Sequence, residues 1–201
     1  QLLPLYDKPL IYYPLSVLML AGIKDILIIV NKGQLNQFQK ILPKNNYLGL
    51  NIQYKEQPEP RGLPDAFLIG EKFIGKDNVA LILGDNFFYG QNFTQKLRKC
   101  IKLKRGACVF VHPVKNPNLY GVAKVNSKNT ILKIIEKPKK FISNKAITGL
   151  YFFDKNVSEY TRKLKKSKRG ELEITDLIKE YKKKNKLKYE LIGRGAIWSD
   201  A

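Results

Sequence analysis

Histidine and cysteine are almost missing from this chain. One histidine, His112, and two cysteines, Cys100 and Cys108, are spread over 201 residues. The cysteines stand eight positions apart, with no CxxC spacing and no histidine companions, so a zinc site of the usual kinds is excluded. No nucleophile–histidine pair is visible either: His112 lies within an apolar run just before Pro113 and reads as structural. A chain this long buries roughly 70% of the surface its unfolded form exposes, so it needs no disulfide staple. Free cysteines then point to a reducing compartment, the cytoplasm. Long apolar runs are also lacking. The longest, Leu10 to Ile23, is interrupted by Pro14 and Ser16 and is too short for a bilayer span. No membrane partner is expected.

Acidic residues are scarce as well, 17 against 37 lysines and arginines, for a net charge of +20. Such a balance invites a nucleic-acid reading. The lysines, however, cluster at 137–145, 163–169 and 179–188, in segments also rich in asparagine and isoleucine. That bias suits solvated helix faces, and charge bears on association rather than on fold. Nucleic acid is not the expected partner.

What is present alternates between short apolar runs and helical patterns, the mark of an α/β sheet protein. A helical stretch, Lys8–Ala21, ends at Gly22. Asp25–Val30 follows as a continuous, β-branched run, as in a strand covered on both faces. Gln34–Leu42 reads as helix stopped by Pro43, Asn51–Lys55 as strand, and Gln57–Gly62 as loop. Pro64 suits the first turn of a helix running to Phe73. Val79–Leu83 is a second buried strand, Phe93–Leu103 a helix and Ala107–Val111 a third buried strand. Shorter strands follow at Gly121–Val125, Ile131–Glu136 and Ala146–Phe153. Next come lysine-rich helices near Ser158–Lys165 and Glu173–Lys184, then strands at Lys188–Ile192 and Ala196–Trp198. No internal repeat or low-complexity linker interrupts the series.

Several strand ends carry chemistry. Gly84-Asp85-Asn86 closes a buried strand, where open α/β sheets bind ligands and where a carboxylate is well placed for a metal; an Asx turn is the plainer alternative. Glu136-Lys137-Pro138 sets an acid beside a cation at another strand end, suited to hydroxyls and phosphate, or simply a surface charge pair. Arg169 precedes Gly170 and an acid-rich helix start, and its planar fork suits phosphate oxygens. Trp198-Ser199-Asp200 supplies a second aspartate, and Mg²⁺ is usually held by one or two carboxylates plus substrate phosphates.

These pieces occur together and in order in the sugar-nucleotide pyrophosphorylases. The opening Gln1-Leu2-Leu3-Pro4-Leu5-Tyr6-Asp7-Lys8-Pro9-Leu10-Ile11-Tyr12-Tyr13-Pro14-Leu15-Ser16 closely resembles the glucose-1-phosphate thymidylyltransferase subfamily. So do Gln57-Pro58 with Gly62-Leu63, Leu83-Gly84-Asp85-Asn86, Tyr120-Gly121-Val122, Glu136-Lys137-Pro138, Thr148-Gly149-Leu150-Tyr151-Phe152 and residues 170–176. The resemblance implies a Rossmann-like, glycosyltransferase-A-like nucleotidyltransferase fold with a mixed central sheet. It implies formation of dTDP-glucose and pyrophosphate from dTTP and glucose 1-phosphate, with Mg²⁺ as cofactor and a homo-oligomer, a tetramer, as the assembly. The product would feed dTDP-sugar synthesis such as the dTDP-rhamnose route to cell-surface polysaccharide. A UTP-using uridylyltransferase and a non-catalytic sugar-nucleotide-binding remnant are the alternatives.

The resemblance also assigns roles. Asp85 and Asp200 match the metal-holding pair, and Gln57 and Gly62 match positions that read the base, with Asp85 beside the nucleotide. Tyr120, Gly121, Glu136 and Gly149 match the sugar site, and Lys137 and Arg169 match contacts to the sugar phosphate, so that Asp85, Lys137 and Arg169 form the catalytic set. Pro64-Asp65 departs from the family's usual Ala-Gln, Ser199 from its leucine and Ala201 from its threonine. The family's Gly-rich phosphate loop and a phosphate-contacting lysine fall before Gln1, and its C-terminal helices fall after Ala201. The chain therefore reads as one nucleotidyltransferase domain over residues 1–201, incomplete at both ends and expected to turn over poorly by itself.

Overall fold

The computed structural model describes residues 1–127 and 130–201. A small antiparallel hairpin opens the chain, β1 (Pro4–Leu5) and β2 (Lys8–Pro9), and helix α1 (Tyr12–Leu20) follows it. The helix expected from Lys8 thus starts only at Tyr12; Lys8 and Pro9 are consumed by pairing with Leu5 and Pro4. Next come β3 (Asp25–Asn31), α2 (Leu35–Ile41) and β4 (Asn51–Gln57), and β3 and β4 pair in parallel over their whole length. The helix expected from Pro64 to Phe73 is two short ones, α3 (Asp65–Ile69) and α4 (Glu71–Ile74), parted at Gly70. A Cβ at Gly70 would stand 3.0 Å from the Ala66 carbonyl oxygen and 3.1 Å from the Leu27 side chain, so the chain packs tightly where it bends.

The chain continues through β5 (Val79–Ile82), β6 (Asn86–Gly90), α5 (Phe93–Ile101) and β7 (Ala107–Pro113). A single 3₁₀ turn, Pro117–Leu119, leads into β8 (Gly121–Val125), β9 (Ile131–Glu136) and β10 (Lys145–Phe153). Helices α6 (Val157–Arg162) and α7 (Ile174–Lys183) and strands β11 (Leu187–Leu191) and β12 (Ala196–Asp200) complete it. Strand β6 lies where the sequence suggests only a turn, and β12 runs two residues past Trp198, because the two strands pair antiparallel from Ala196–Gly90 to Asp200–Asn86.

The main sheet is mixed, in the order β11-β7-β10-β8-β9, with β5 also on β10. Strand β11 runs parallel to β7 and the other pairings are antiparallel. Both faces are covered, as the continuous apolar runs require. Val109, Val111 and Phe153 point towards α6 and α7, against Val157, Leu177 and Tyr181; Cys108, Phe110 and Phe152 point the other way, against α1 and α5. A third apolar cluster joins α1 and α2 to β3 and β4 through Leu15, Ile28, Phe38 and Ile52. The two free thiols meet in the second layer with their sulfurs 2.9 Å apart, and that contact, followed by burial, pushes the Cys100 thiol pKa well up. Among the described residues no helix is long and apolar enough to cross a membrane.

What positions the site is a change of partner along β10. Its first half pairs with β8 at Ala146–Val122, and its second half pairs with β5 from Leu150–Ile82 onward, while β7 keeps the opposite edge. The β7 register shifts between Ile147 and Tyr151. Two strands thus end on one edge of β10, and a crevice opens between them, as at the switch points of α/β sheets.

Candidate active site

Gly149 sits at that switch. Its carbonyl accepts from Leu83 N at 2.9 Å and its N–H donates to Asn86 Oδ1 at 3.0 Å. A Cβ there would come within 2.5 Å of Asn86 Oδ1, so glycine is required for the backbone to approach. Asn86 is 1% exposed, and its Oδ1 also accepts from Trp198 Nε1 at 2.6 Å while its Nδ2 donates to Asp85 Oδ1 at 2.8 Å. One buried side chain therefore ties β6, β10 and β12 together and orients the Asp85 carboxylate. In the sequence Asn86 reads only as part of a turn; its partners lie 63 and 112 residues away, beyond the reach of local pattern.

Two clefts meet at Asp85. The smaller, about 220 Å³, is walled by Asp85, Tyr120, Gly121, Glu136, Lys137, Gly149 and Asp200, together with the buried hydroxyl of Thr175. The larger, about 460 Å³, is walled by Gln57, Gly62, Asp85 and a largely apolar floor from β3 and β5 that includes Ile28, Val30 and Leu81. Leu63, Leu83 and Asp85 belong to both walls. The structure thus gathers the expected sugar residues on one side of Asp85 and the expected base residues on the other.

Within the smaller cleft, Tyr120 donates its hydroxyl to Asp200 Oδ1 at 3.1 Å and packs edge-on against Trp198 at 5.2 Å. Burial first, then the Asp200 charge, raises the Tyr120 pKa, so the phenol stays a donor at neutral pH. Glu136 faces Gly121 across the β8–β9 ladder. Its carboxyl is raised above the ordinary value, chiefly by burial and also by Glu173, while the Thr175 hydroxyl and the cations Lys137 and Arg169 pull it back. Among the described residues Thr175 Oγ1 nevertheless has no partner of hydrogen-bond geometry, so its dipole favours the charge without closing a bond. A buried hydroxyl left open on a cleft wall is a point of attachment for a ligand. Lys137 is exposed and adopts φ 40°, a left-handed backbone that is uncommon outside glycine, held by its N–H to the Tyr120 carbonyl at 3.0 Å.

By proton linkage, a carboxyl whose pKa rises on folding favours the native state where it is protonated. For Glu136 that contribution is fully present below the unfolded value near 4.5 and is lost as pH rises through the raised folded value. Glu136→Gln is therefore expected to melt higher than the parent at pH 7, with the gap closing below pH 4.5. Melting curves of both proteins across that range check it; a gap independent of pH would contradict burial of the charge as its cause.

Arg169 stands differently. Its guanidinium lines neither cleft and lies 3.7 Å from Glu171 and 3.8 Å from Glu173, half exposed. The structure brings Lys137 to the cleft wall and leaves Arg169 beside it, near enough to bear on the Glu136 charge. Gly62, with φ 98°, lets its loop run against Leu172, whose N–H donates to the Arg61 carbonyl at 2.9 Å. That contact fastens the base-side loop to the segment carrying Arg169.

No group of three or more histidine, cysteine, aspartate or glutamate side chains gathers for a metal among the described residues. Asp200 ends β12 and Asp85 directly precedes its partner strand β6, with Ala201 N donating to the Asp85 carbonyl at 3.1 Å. Both carboxylates take a neutral donor on Oδ1, from Asn86 and Tyr120, and neither has an ion-pair partner among the described residues. Two such oxygens fit a hard cation whose remaining ligands come from substrate phosphates.

The sequence matches the nucleotidyl transferase family over residues 1–201. The chain belongs to that family. A glucose-1-phosphate thymidylyltransferase of Neisseria meningitidis serogroup A is 50% identical over 200 residues, which cover 100% of this chain and 69% of the relative. A solved structure of a Bacillus anthracis protein, assigned as a glucose-1-phosphate thymidylyltransferase and in complex with sucrose, superposes with a TM-score of 0.90 at 35% identity, over 100% of this chain and 80% of that one. UDP-glucose pyrophosphorylase complexed with UDP-glucose shares the fold, with a TM-score of 0.76 at 24% identity over 99% of this chain and 80% of that one. The Rossmann-like nucleotidyltransferase fold with a mixed sheet, expected from the sequence, is the one observed.

Proposed function

We propose that the protein joins glucose 1-phosphate to dTTP, forming dTDP-glucose and releasing pyrophosphate. The observation that carries this reading is the meeting of two unlike clefts at one carboxylate, Asp85. The larger, apolar-floored cleft with Gln57 and Gly62 suits a base and its deoxyribose; the smaller, with Tyr120, Glu136, Lys137 and Asp200 on its wall, suits a hexose phosphate. Tyr120 and the Glu136 carboxylate supply a hydroxyl and an acceptor for sugar hydroxyls, and Gly149 leaves room for the ring to lie against the sheet.

In the reaction, a phosphate oxygen of glucose 1-phosphate bonds to the α-phosphorus of dTTP. The bond from that phosphorus to the oxygen bridging towards the β-phosphorus breaks, and pyrophosphate leaves with the electron pair. Lys137 holds the attacking phosphate by charge. Arg169 joins it by exchanging its long contacts with Glu171 and Glu173, of which the more exposed pair with Glu171 contributes only about 0–1 kcal/mol. Asp85 and Asp200 would hold Mg²⁺, which when bound offsets charge on the phosphates. The larger assembly is a homo-oligomer, and the setting is the cytoplasmic supply of dTDP-sugars.

The test is a pyrophosphate-release assay on the full-length protein with glucose 1-phosphate and Mg²⁺, run with dTTP and with UTP. Equimolar dTDP-glucose and pyrophosphate are expected from dTTP. Thymine and uracil share a pairing edge, and one methyl separates them by only ~1–3 kcal/mol, so UTP is expected to react more slowly rather than not at all. Release from UTP alone would reassign the enzyme as a uridylyltransferase. A folded protein that releases pyrophosphate from neither would leave a sugar-nucleotide-binding role.

A further inference from the structure

Asp65 is absent from the wall of the larger cleft but holds a residue that stands on it. Gln57 lines the cleft, and behind it Gln57 Nε2 donates to Asp65 Oδ2 at 3.0 Å. Asp65 is 1% exposed, and Arg61 holds it from the other side, with Nε donating to Oδ2 at 3.2 Å and a guanidinium nitrogen 3.1 Å from Oδ1. A buried carboxylate paired with an arginine fork accepts hydrogen bonds and donates none. The geometry points to Asp65 as a positioning residue that locks the Gln57 amide in one orientation and thereby selects the nucleobase; this rests on the nucleotide reading of that cleft.

A primary amide offers two N–H donors and one carbonyl, and a free glutamine can turn either end outward. With its nitrogen drawn to Asp65, Gln57 presents its carbonyl to the cleft, with at most one remaining N–H beside it. That pair complements a base edge bearing an N–H next to a carbonyl, as thymine and uracil do at N3 and O4. Cytosine presents the reverse, an acceptor ring nitrogen beside an amino donor, and would set oxygen against lone pair. An amide free to turn would serve both. The departure at Asp65 from the resembling family's glutamine therefore has a physical consequence: an acceptor-only carboxylate removes the alternative orientation.

Calorimetric binding of dTTP and dCTP to the full-length protein tests this. The parent is expected to favour dTTP by about ten-fold or more, the scale of one well-formed two-bond base contact. Asp65→Asn, whose side chain accepts or donates, is expected to shrink that preference several-fold, mainly by improving dCTP. In a Gln57→Ala background the same substitution is expected to leave the ratio unchanged, which a merely structural role for Asp65 would not produce. An undiminished preference in folded Asp65→Asn, or an equal shift in both backgrounds, overturns the role of Asp65 while leaving the nucleotide reading intact. A parent that binds neither nucleotide overturns both. Should Asp65→Asn fail to fold, the Gln57 side-chain amide protons of the parent, identified by their loss in Gln57→Ala, answer the same question by NMR: protection from exchange in the free protein is expected, and rapidly exchanging protons contradict the lock.

Discussion

Replacing Asp85 with asparagine in the full-length protein is expected to lower turnover by about 10²–10³-fold, the loss seen when one preorganised electrostatic group is removed from a transition state. The melting temperature should barely change. Asp85 is only partly buried, stands in the turn before β6, and among the described residues its side chain accepts a hydrogen bond from Asn86 alone. An asparagine fills the same space without the charge that the metal and the reacting phosphates require. Steady-state rates with both substrates saturating, set beside melting curves, separate the two effects. Near-normal turnover would remove Asp85 from the mechanism.

Asn86 should behave in the opposite sense. Asn86→Leu removes the acceptor for the Trp198 indole N–H and the Gly149 amide, both buried with it. Each buried donor left without a partner costs about 1–3 kcal/mol, so this variant is expected to lose stability first and activity with it. Asn86→Asp separates the roles. It keeps the acceptor oxygens but withdraws the donor from Asp85 and sets a second negative charge beside it. Most of the stability should therefore survive at low pH, where one of the two carboxyls holds a proton, and fall as pH rises through their titration. Denaturant melts from pH 4 to 8 follow this directly. Equal stability of both variants at every pH would show that Asn86 does not act through these bonds.

Much of the fold is legible in the sequence because its buried strands are short apolar runs. Asp25–Val30, Val79–Leu83 and Ala107–Val111 all appear within two residues of their expected ends, since a strand covered on both faces leaves no alternation to misread. Boundaries fail where tertiary pairing overrides local pattern. Lys8–Ile11 carries a helical periodicity with α1, yet Lys8 and Pro9 pair with the preceding strand. Asn86–Gly90 has no run long enough to announce a strand and becomes one only because β12 pairs with it.

The site shows the same division. Asp85, Glu136, Lys137 and Asp200 stand at strand ends, and strand ends are visible in sequence. The change of partner along β10, which opens the crevice, is a matter of register and leaves no local trace. Asn86 lines the smaller cleft and Asp65 lines neither, but both act through other side chains. The first is read only through partners far along the chain. The second is visible only as a departure from the resembling family, and its bond to Gln57 gives that departure a meaning. Resemblance matches Arg169 to the sugar phosphate, but in this structure two glutamates occupy its fork.

The central claim is that two substrates meet across Asp85, and a crystal structure of the full-length protein with dTDP-glucose tests it most directly. The thymine is expected against Gln57 and Gly62, the glucose against Tyr120, Glu136 and Gly149, and the diphosphate between them beside Asp85 and Lys137. A product molecule confined to one cleft, or bound with its diphosphate away from Asp85, would contradict it.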